Sequence, residues 1–186
     1  MGDHVQGVPV TARPDAELAV RVIRTEVVAL SDADLAEIHD LRTHALDFFA
    51  EVDDPLPTPE SFQADLDDLP EGFTRQDEVI YRAYLGGRVA GYAEVLRGFA
   101  HAEQWIIGIA LVDTALRGQG VGKALVTAIA EDARAAGIAS LAAGVIATRK
   151  RSSAFWAREG FTTEVRRRPI VIGGEDTEVV RLERLI

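Results

Sequence analysis

The residues with the most chemical potential run Val112-Asp113-Thr114-Ala115-Leu116-Arg117-Gly118-Gln119-Gly120-Val121-Gly122-Lys123. Gly118, Gly120 and Gly122 remove three side chains where an apolar run gives way to a helical period. Successive backbone N–H groups can then converge on one anion, helped by the positive end of the helix dipole. Arg117 and Lys123 put full charges beside them. The ligand this suits is a phosphate. A Walker loop, G-x-x-x-x-G-K-[ST], would need glycine at position 117 and Ser or Thr at 124. Arg117 and Ala124 stand there, so that mode loses both its turn and its magnesium ligand. A dinucleotide fingerprint, G-x-G-x-x-G, would need glycine where Lys123 stands and an acid at the end of the next strand, and Ser140–Ile146 offers none.

Arg117-Gly118-Gln119-Gly120-Val121-Gly122 resembles the R/Q-x-x-G-x-G/A pyrophosphate signature of the GNAT acyltransferase superfamily, and as in that family it follows a strand that ends at Val112. Ser153-Ala154-Phe155-Trp156-Ala157-Arg158-Glu159-Gly160-Phe161 is similar to the family helix that carries an aromatic pair and ends in Gly-Phe. The order of elements over residues 20–186 agrees as well. The resemblance implies acetyl-CoA, or another acyl-CoA, as co-substrate. Backbone groups of Ala110, Leu111 and Val112 would pair with its pantetheine arm like an added strand. The N–H groups of Gly118, Gly120, Val121 and Gly122 would hold the pyrophosphate, with Arg117, Gln119 and Lys123 around it. Arg149-Lys150-Arg151 could meet the 3′-phosphate, and Ser152, Phe155 and Trp156 would complete the cofactor wall.

By the same resemblance, the reaction is direct acyl transfer to a primary amine in a ternary complex. Three departures bear on how it runs. Trp156 stands where members often place the Tyr that protonates the departing thiolate, and an indole N–H has no comparable acidity. Arg149 replaces an Asn that often binds the pantetheine arm. Gly108 and Ile106 occupy the slots from which a Glu or His often deprotonates the amine. The base must come from elsewhere, and Glu103 and Glu94 are the nearest carboxylates by strand position. Ser152, Ser153 or a water could supply the acid. A backbone N–H of Val112 or Leu111 would stabilise the oxyanion. The missing Tyr and base leave open a non-catalytic acyl-CoA-binding or regulatory module on the same fold. A third class is an interaction protein whose acidic helices bind a basic partner.

The elements that must position these residues follow from period and punctuation. Residues 1–18 lack periodicity and read as a mobile tail ahead of one domain, 19–186. A first strand spans Val20–Val28. Ser31 caps a helix over 32–50, with Leu35, Ile38, Leu41, Ala45, Leu46 and Phe49 at helical spacing. Asp53-Asp54-Pro55-Leu56-Pro57-Thr58-Pro59 breaks it, and a short helix runs from Thr58 to about Leu69. Val79–Leu85 and Arg88–Arg97 flank Gly86-Gly87, a hairpin signal. Strand Trp105–Val112, helix Val121–Ala136 and strand Ser140–Ile146 make a β-α-β crossover at the cofactor turn. A helix over Ser152–Glu159 and a hairpin of Thr163–Ile172 with Glu178–Leu185 complete the chain. The expected fold is α/β (α+β): a mixed, mostly antiparallel central sheet flanked by helices.

Composition narrows the classes further. The 186 residues include no cysteine, which excludes disulfide frameworks, zinc-thiolate sites and a thiol nucleophile. His39 and His44, five apart, do not share a helix face, so no metal is expected. Without a signal-like start or an apolar run long enough to span a bilayer, a cytoplasmic location is the expectation. The net charge of −10 argues against nucleic acid or an anionic membrane as partner, and a homodimer is compatible with it. The charge is uneven: residues 31–78 hold 15 acids against only Arg42 and Arg75. That asymmetry predicts a cationic amine, small or on a peptide, as acceptor, drawn in by acids such as Asp53, Asp54, Asp67 and Asp68.

Overall fold

Gly86 and Gly87 sit at φ +59° and +79°, the left-handed pair that a two-residue hairpin turn of this hand requires. They join β2 (Glu78–Leu85) to β3 (Arg88–Arg97), the expected hairpin, with a register shift between Ala83 and Tyr84. The computed structural model describes residues 19–52, 58–172 and 174–186. The expected tail at 1–18, the proline break at 53–57 and Gly173 lie outside the described residues.

β1 (Arg21–Glu26) lies antiparallel beside β2, and β4 (Gln104–Val112) beside β3. β5 (Ser140–Ile146) runs parallel to β4, and α4 (Val121–Ala135) carries the crossover between them. β6 (Thr163–Ile172) and β7 (Glu175–Leu185) form a final hairpin, with β7 placed against β5. The result is one mixed seven-stranded sheet ordered β1-β2-β3-β4-β5-β7-β6.

The helix expected over 32–50 is two helices, α1 (Asp32–Thr43) and α2 (Leu46–Val52). The break has a tertiary cause: the His44 carbonyl accepts the backbone N–H of Thr114, from the turn after β4, at 3.3 Å. Nothing in the local period announces that bond. α3 (Pro59–Asp65) is shorter than expected, since Leu66 already serves as its C-cap. α5 (Lys150–Arg158) begins two residues before the expected Ser152, and β7 begins at Glu175 rather than Glu178.

The sheet's two faces are built differently. Against one, α4 packs Leu125, Val126 and Ile129 on Val79, Tyr81, Val95 and Ile107, each buried aliphatic contributing about 1.5–3 kcal/mol. Against the other, α1–α3 pack Ile38, Leu41, Phe49 and Phe62 on Ile80, Tyr92 and Leu111. This second face also buries Arg42, Glu78 and Arg82. Between the faces, β4 and β5 pair only from Gln104–Ile107 to Ser140–Ala143 and then part. The parting begins at a bulge: Val95 pairs with Ile107 and Glu94 with Ile109, so Gly108 is the extra residue.

Candidate active site

Beyond Ile107, β4 has no neighbour on its β5 side. The Asp113 N–H donates to the Ala90 carbonyl at 2.9 Å. Antiparallel alternation therefore turns Leu111 N–H toward β3, and those of Ala110 and Val112 out into the cleft. Ala110 and Val112 thus present a free strand edge, whereas Leu111, expected to share that role, spends its backbone on β3. The Leu111 side chain is buried on the opposite face.

At the end of that edge, Gly118 and Gly120 adopt φ +81° and +84°, a region costly for any residue with a Cβ. Gly120 caps α4 with no side-chain bond. The first helical bond runs from Ala124 N–H to the Gly120 carbonyl at 2.9 Å. The N–H groups of Val121, Gly122 and Lys123 are therefore left without helical partners. Gly122 serves packing: a Cβ there would lie 3.0 Å from the Phe155 ring. The turn fronts a cavity of about 500 Å³, also lined by Lys123, Arg151, Ser152, Phe155 and Arg158. Open N–H donors, a free strand edge and three cations suit an extended polyanion with a peptide-like arm.

Several expected contacts fall elsewhere. Arg117 lines the cavity, but its guanidinium grips Asp47 at the start of α2: Nη2 donates to Oδ1 at 2.8 Å and Nη1 to Oδ2. Its Nε donates to the Val112 carbonyl at 3.2 Å. Those bonds hold the Asp47 carboxyl below the usual carboxylate range. Gln119 is exposed and off the cavity wall, with its amide 3.5 Å from the Ala115 carbonyl. Trp156 does not line the cavity either: it is 6% exposed and packs edge-on against Phe161 and Phe155. An indole this large is drawn into the core between α5 and the sheet. Arg149 is the N-cap of α5, where its carbonyl accepts the N–H and hydroxyl of Ser153. Ser153 is thereby committed, and Ser152 is the hydroxyl on the cavity wall. Sequence reasoning missed Asp47, Leu116, Arg158 and Glu159. Only Arg158 and Glu159, beside the recognised aromatic pair, carried a local signal.

The two candidate carboxylates part company. Glu103 is exposed in the turn before β4, where its carbonyl takes the Ala139 N–H at 2.9 Å. It stands five residues from the bulge, about 17 Å along an extended strand, so it does not reach the cleft. Glu94 sits beside the bulge on the α1–α3 face. Its Oε1 is enclosed without a partner. Burial, reinforced by the Glu78 carboxylate, pushes the Glu94 carboxyl up to about 8.

Glu78, unforeseen from sequence, is its diagonal neighbour on β2. Glu78 is 5% exposed, its Oε2 also lacks a partner, and burial pushes its carboxyl up to about 7. Arg42 does not pair with either: it donates to Tyr92 Oη at 3.0 Å and Asp65 Oδ2 at 2.5 Å. The Phe49 and Phe62 rings lie 4.8 and 5.0 Å from the Arg42 guanidinium carbon. Of the acids expected to draw a cationic acceptor, Asp67 pairs with Arg75 at 2.7 Å, Asp68 is exposed, and Asp53 and Asp54 lie outside the described residues.

Known proteins agree with this geometry. The family model described as "Acetyltransferase (GNAT) family" matches residues 37–161. Among solved structures, an acetyltransferase from Thermus thermophilus is similar at a TM-score of 0.67 and 21% identity, covering 91% of this chain and 99% of that one. The ribosomal-protein-S18-alanine N-acetyltransferase of Escherichia coli gives 0.65 at 16% identity, over 89% and 94%. The acetyltransferase yncA from Salmonella typhimurium, solved with its cofactor acetyl-CoA, gives 0.65 at 21%, over 90% and 94%. No curated protein matches the chain. The fold is that of these acetyltransferases, and the chain belongs to the GNAT acetyltransferase family. Membership makes acetyl-CoA its cofactor.

Proposed function

We propose that this protein is an N-acetyltransferase that acetylates a primary amine directly, with both substrates bound together and Glu94 as general base. The observation that carries the reading is the meeting, at the Gly108 bulge, of the free β4 edge with a buried carboxyl whose affinity for protons lies near neutrality. Bound acetyl-CoA supplies an activated acetyl carbonyl. Ala110 and Val112 offer backbone groups to the pantetheine arm. The first-turn amides of α4, with Lys123, Arg151 and Arg158, hold the phosphates. The Val112 N–H lies four residues, about 13 Å, beyond the bulge, so the open N–H nearest Glu94 for a carbonyl oxygen that gains charge is that of Ala110.

Glu94 takes a proton from the incoming ammonium, leaving the nitrogen's electron pair free to form the new C–N bond. The C–S bond breaks as the adduct nitrogen gives up its second proton, which is relayed through Ser152 or water to the departing thiolate, leaving amide, free thiol and protonated Glu94. A buried carboxyl is suited to that exchange because its proton affinity lies close to working pH. The free thiol released from acetyl-CoA with an amine panel, followed against pH, tests this. The rising limb of kcat/KM is expected near pH 8. Glu94→Gln is expected to abolish that limb while leaving stabilisation by acetyl-CoA intact; a variant with the wild-type profile would eliminate Glu94 as the base.

A further inference from the structure

Glu94 on β3 lies beside the bulge residue Gly108 on β4, and across the point where β4 and β5 part, Gly144 on β5 lies opposite Arg181 on β7. These residues share the α1–α3 face, since Val95, Ile107, Ala143 and Val145 beside them are buried on the α4 side and Val145 pairs with Val180, the neighbour of Arg181. Gly108 and Gly144 are both exposed. A Cβ at Gly108 would meet nothing within 4 Å, and one at Gly144 only Val179, at 3.7 Å. The floor between the Glu and the Arg is therefore bare backbone. Three ladder spacings would make it about 14 Å across, and the parting of β4 from β5 widens it. The Arg181 side chain leans over part of that width, because its guanidinium carbon lies 4.9 Å from the centre of the Phe99 ring, in the β3–β4 turn.

The far wall of this trough is positive. Arg166 on β6 stands directly opposite Arg181, and Arg168 lies diagonal to it on the same face. Like charges facing each other across a strand pair are destabilising. Among the described residues none of these three arginines has an ion pair, although the chain carries ten more acids than bases. The nearby acids are used elsewhere. Glu164 and Glu178 bind Arg167, and Glu183 accepts from Gln104 at 2.8 Å. Burial, with Arg166 and Arg168 adding to it, holds the Arg181 guanidinium below its ordinary range. In a chain this acidic, three uncompensated guanidiniums on one wall call for an anion from outside.

We infer that the acceptor is an amine that also bears an oxyanion, carboxylate or phosphonate, with its amine at Glu94 and its oxyanion on Arg181 supported by Arg166 and Arg168. The inference rests on the acetyltransferase reading and refines its acceptor. It replaces a simple cation by a molecule charged at both ends, spanning the glycine floor. Arg181 is a specificity-determining residue and takes no part in the bond changes at the thioester.

Two measurements test it. With coenzyme A saturating, so that the glycine turn is filled, the melting temperature is followed against inorganic phosphate at constant ionic strength. A saturable rise is expected in the wild type, and its loss in Arg181→Gln and in the surface variant Arg166→Gln. A flat wild-type curve, or an equal rise in both variants, would overturn the inference. KM is then compared for 4-aminobutyrate and 3-aminopropylphosphonate against propylamine. The anionic amines are expected to have KM at least about tenfold lower, the value of one charge-assisted contact, and Arg181→Gln to erase the ratio. A ratio of one or less in the wild type would overturn it. Absence of acetyl transfer to all three amines, with coenzyme A bound, would instead refute the acetyltransferase reading and leave the phosphate curve to decide the oxyanion site.

Discussion

The two faces of the sheet both bury aromatic and aliphatic side chains, the α4 face more of them, but they treat charge in opposite ways. On the α4 face the packing is apolar throughout, and the one buried hydroxyl there, Tyr81, reaches out to Asp132 at 2.9 Å. On the α1–α3 face, Arg42 and Arg82 are buried with carboxylate partners, while Glu78 and Glu94 keep oxygens with none. Burying a charged or polar group without a partner costs free energy that packing does not return. The α4 face therefore supplies stability, and the α1–α3 face gives some of it up to hold reactive groups.

The largest effect that can break this comparison is on the stabilising face. Leu125→Ala is expected to cost about 3 kcal/mol of unfolding free energy, while the pH profile of kcat/KM keeps its shape. Equilibrium denaturation together with a pH–rate series checks both parts. A displaced pH limb would mean that the faces are not independent. On the reactive face, Glu94→Gln should lower kcat/KM about 100-fold at pH 8, with little loss of melting temperature.

Glu78→Gln sharpens the contrast through stability. An unfolded Glu ionises near 4.5, whereas the folded Glu78 carboxyl keeps its proton until about 7. The native state thus holds a proton that the unfolded chain releases. That contribution is complete below about pH 4.5 and is lost as pH rises through 7. The variant should match the wild type at pH 4 and exceed it by about 3 kcal/mol at pH 8. The same variant should move the rate limb of Glu94 to lower pH, since a neighbouring negative charge has gone. Equal stability at pH 8 would show that the carboxyl is not strained by burial. The smallest effect belongs to Arg117→Gln, which removes a partly exposed ion pair and should cost about 1 kcal/mol or less by denaturation.

The apolar face was legible in the sequence. The period of Leu125, Val126 and Ile129, the glycine stop at Gly137 and the hairpin at Gly86-Gly87 are local signals, and local physics decides them. The glycine turn was legible for the same reason, since dipole, amides and cations all lie within one stretch. What could not be read is everything that depends on two distant stretches meeting. The α1–α2 break rests on Thr114 finding the His44 carbonyl. The commitment of Arg117 to Asp47 links residues seventy apart. Glu78 gains its meaning only from a β2–β3 register that sets it diagonal to Glu94. Trp156 and Arg149 were assigned by position in a motif, and core packing and helix capping claimed them. The acidic stretch suggested a cationic acceptor, but the opposing arginines come from β6 and β7, more than eighty residues later in the chain.

The grip of Arg117 on Asp47 has a consequence for how the two ligands bind. The same guanidinium lines the cavity beside the glycine turn and tethers α2, whose Asp47 and Phe48 line that cavity too. An anion in the turn that draws on Arg117 competes with Asp47, so occupancy at one end alters the free energy of helix placement at the other. By reciprocity, whatever factor the cofactor imposes on acceptor affinity, the acceptor imposes on the cofactor's. Cofactor and acceptor affinities, each measured with and without the other ligand, are expected to change by the same factor.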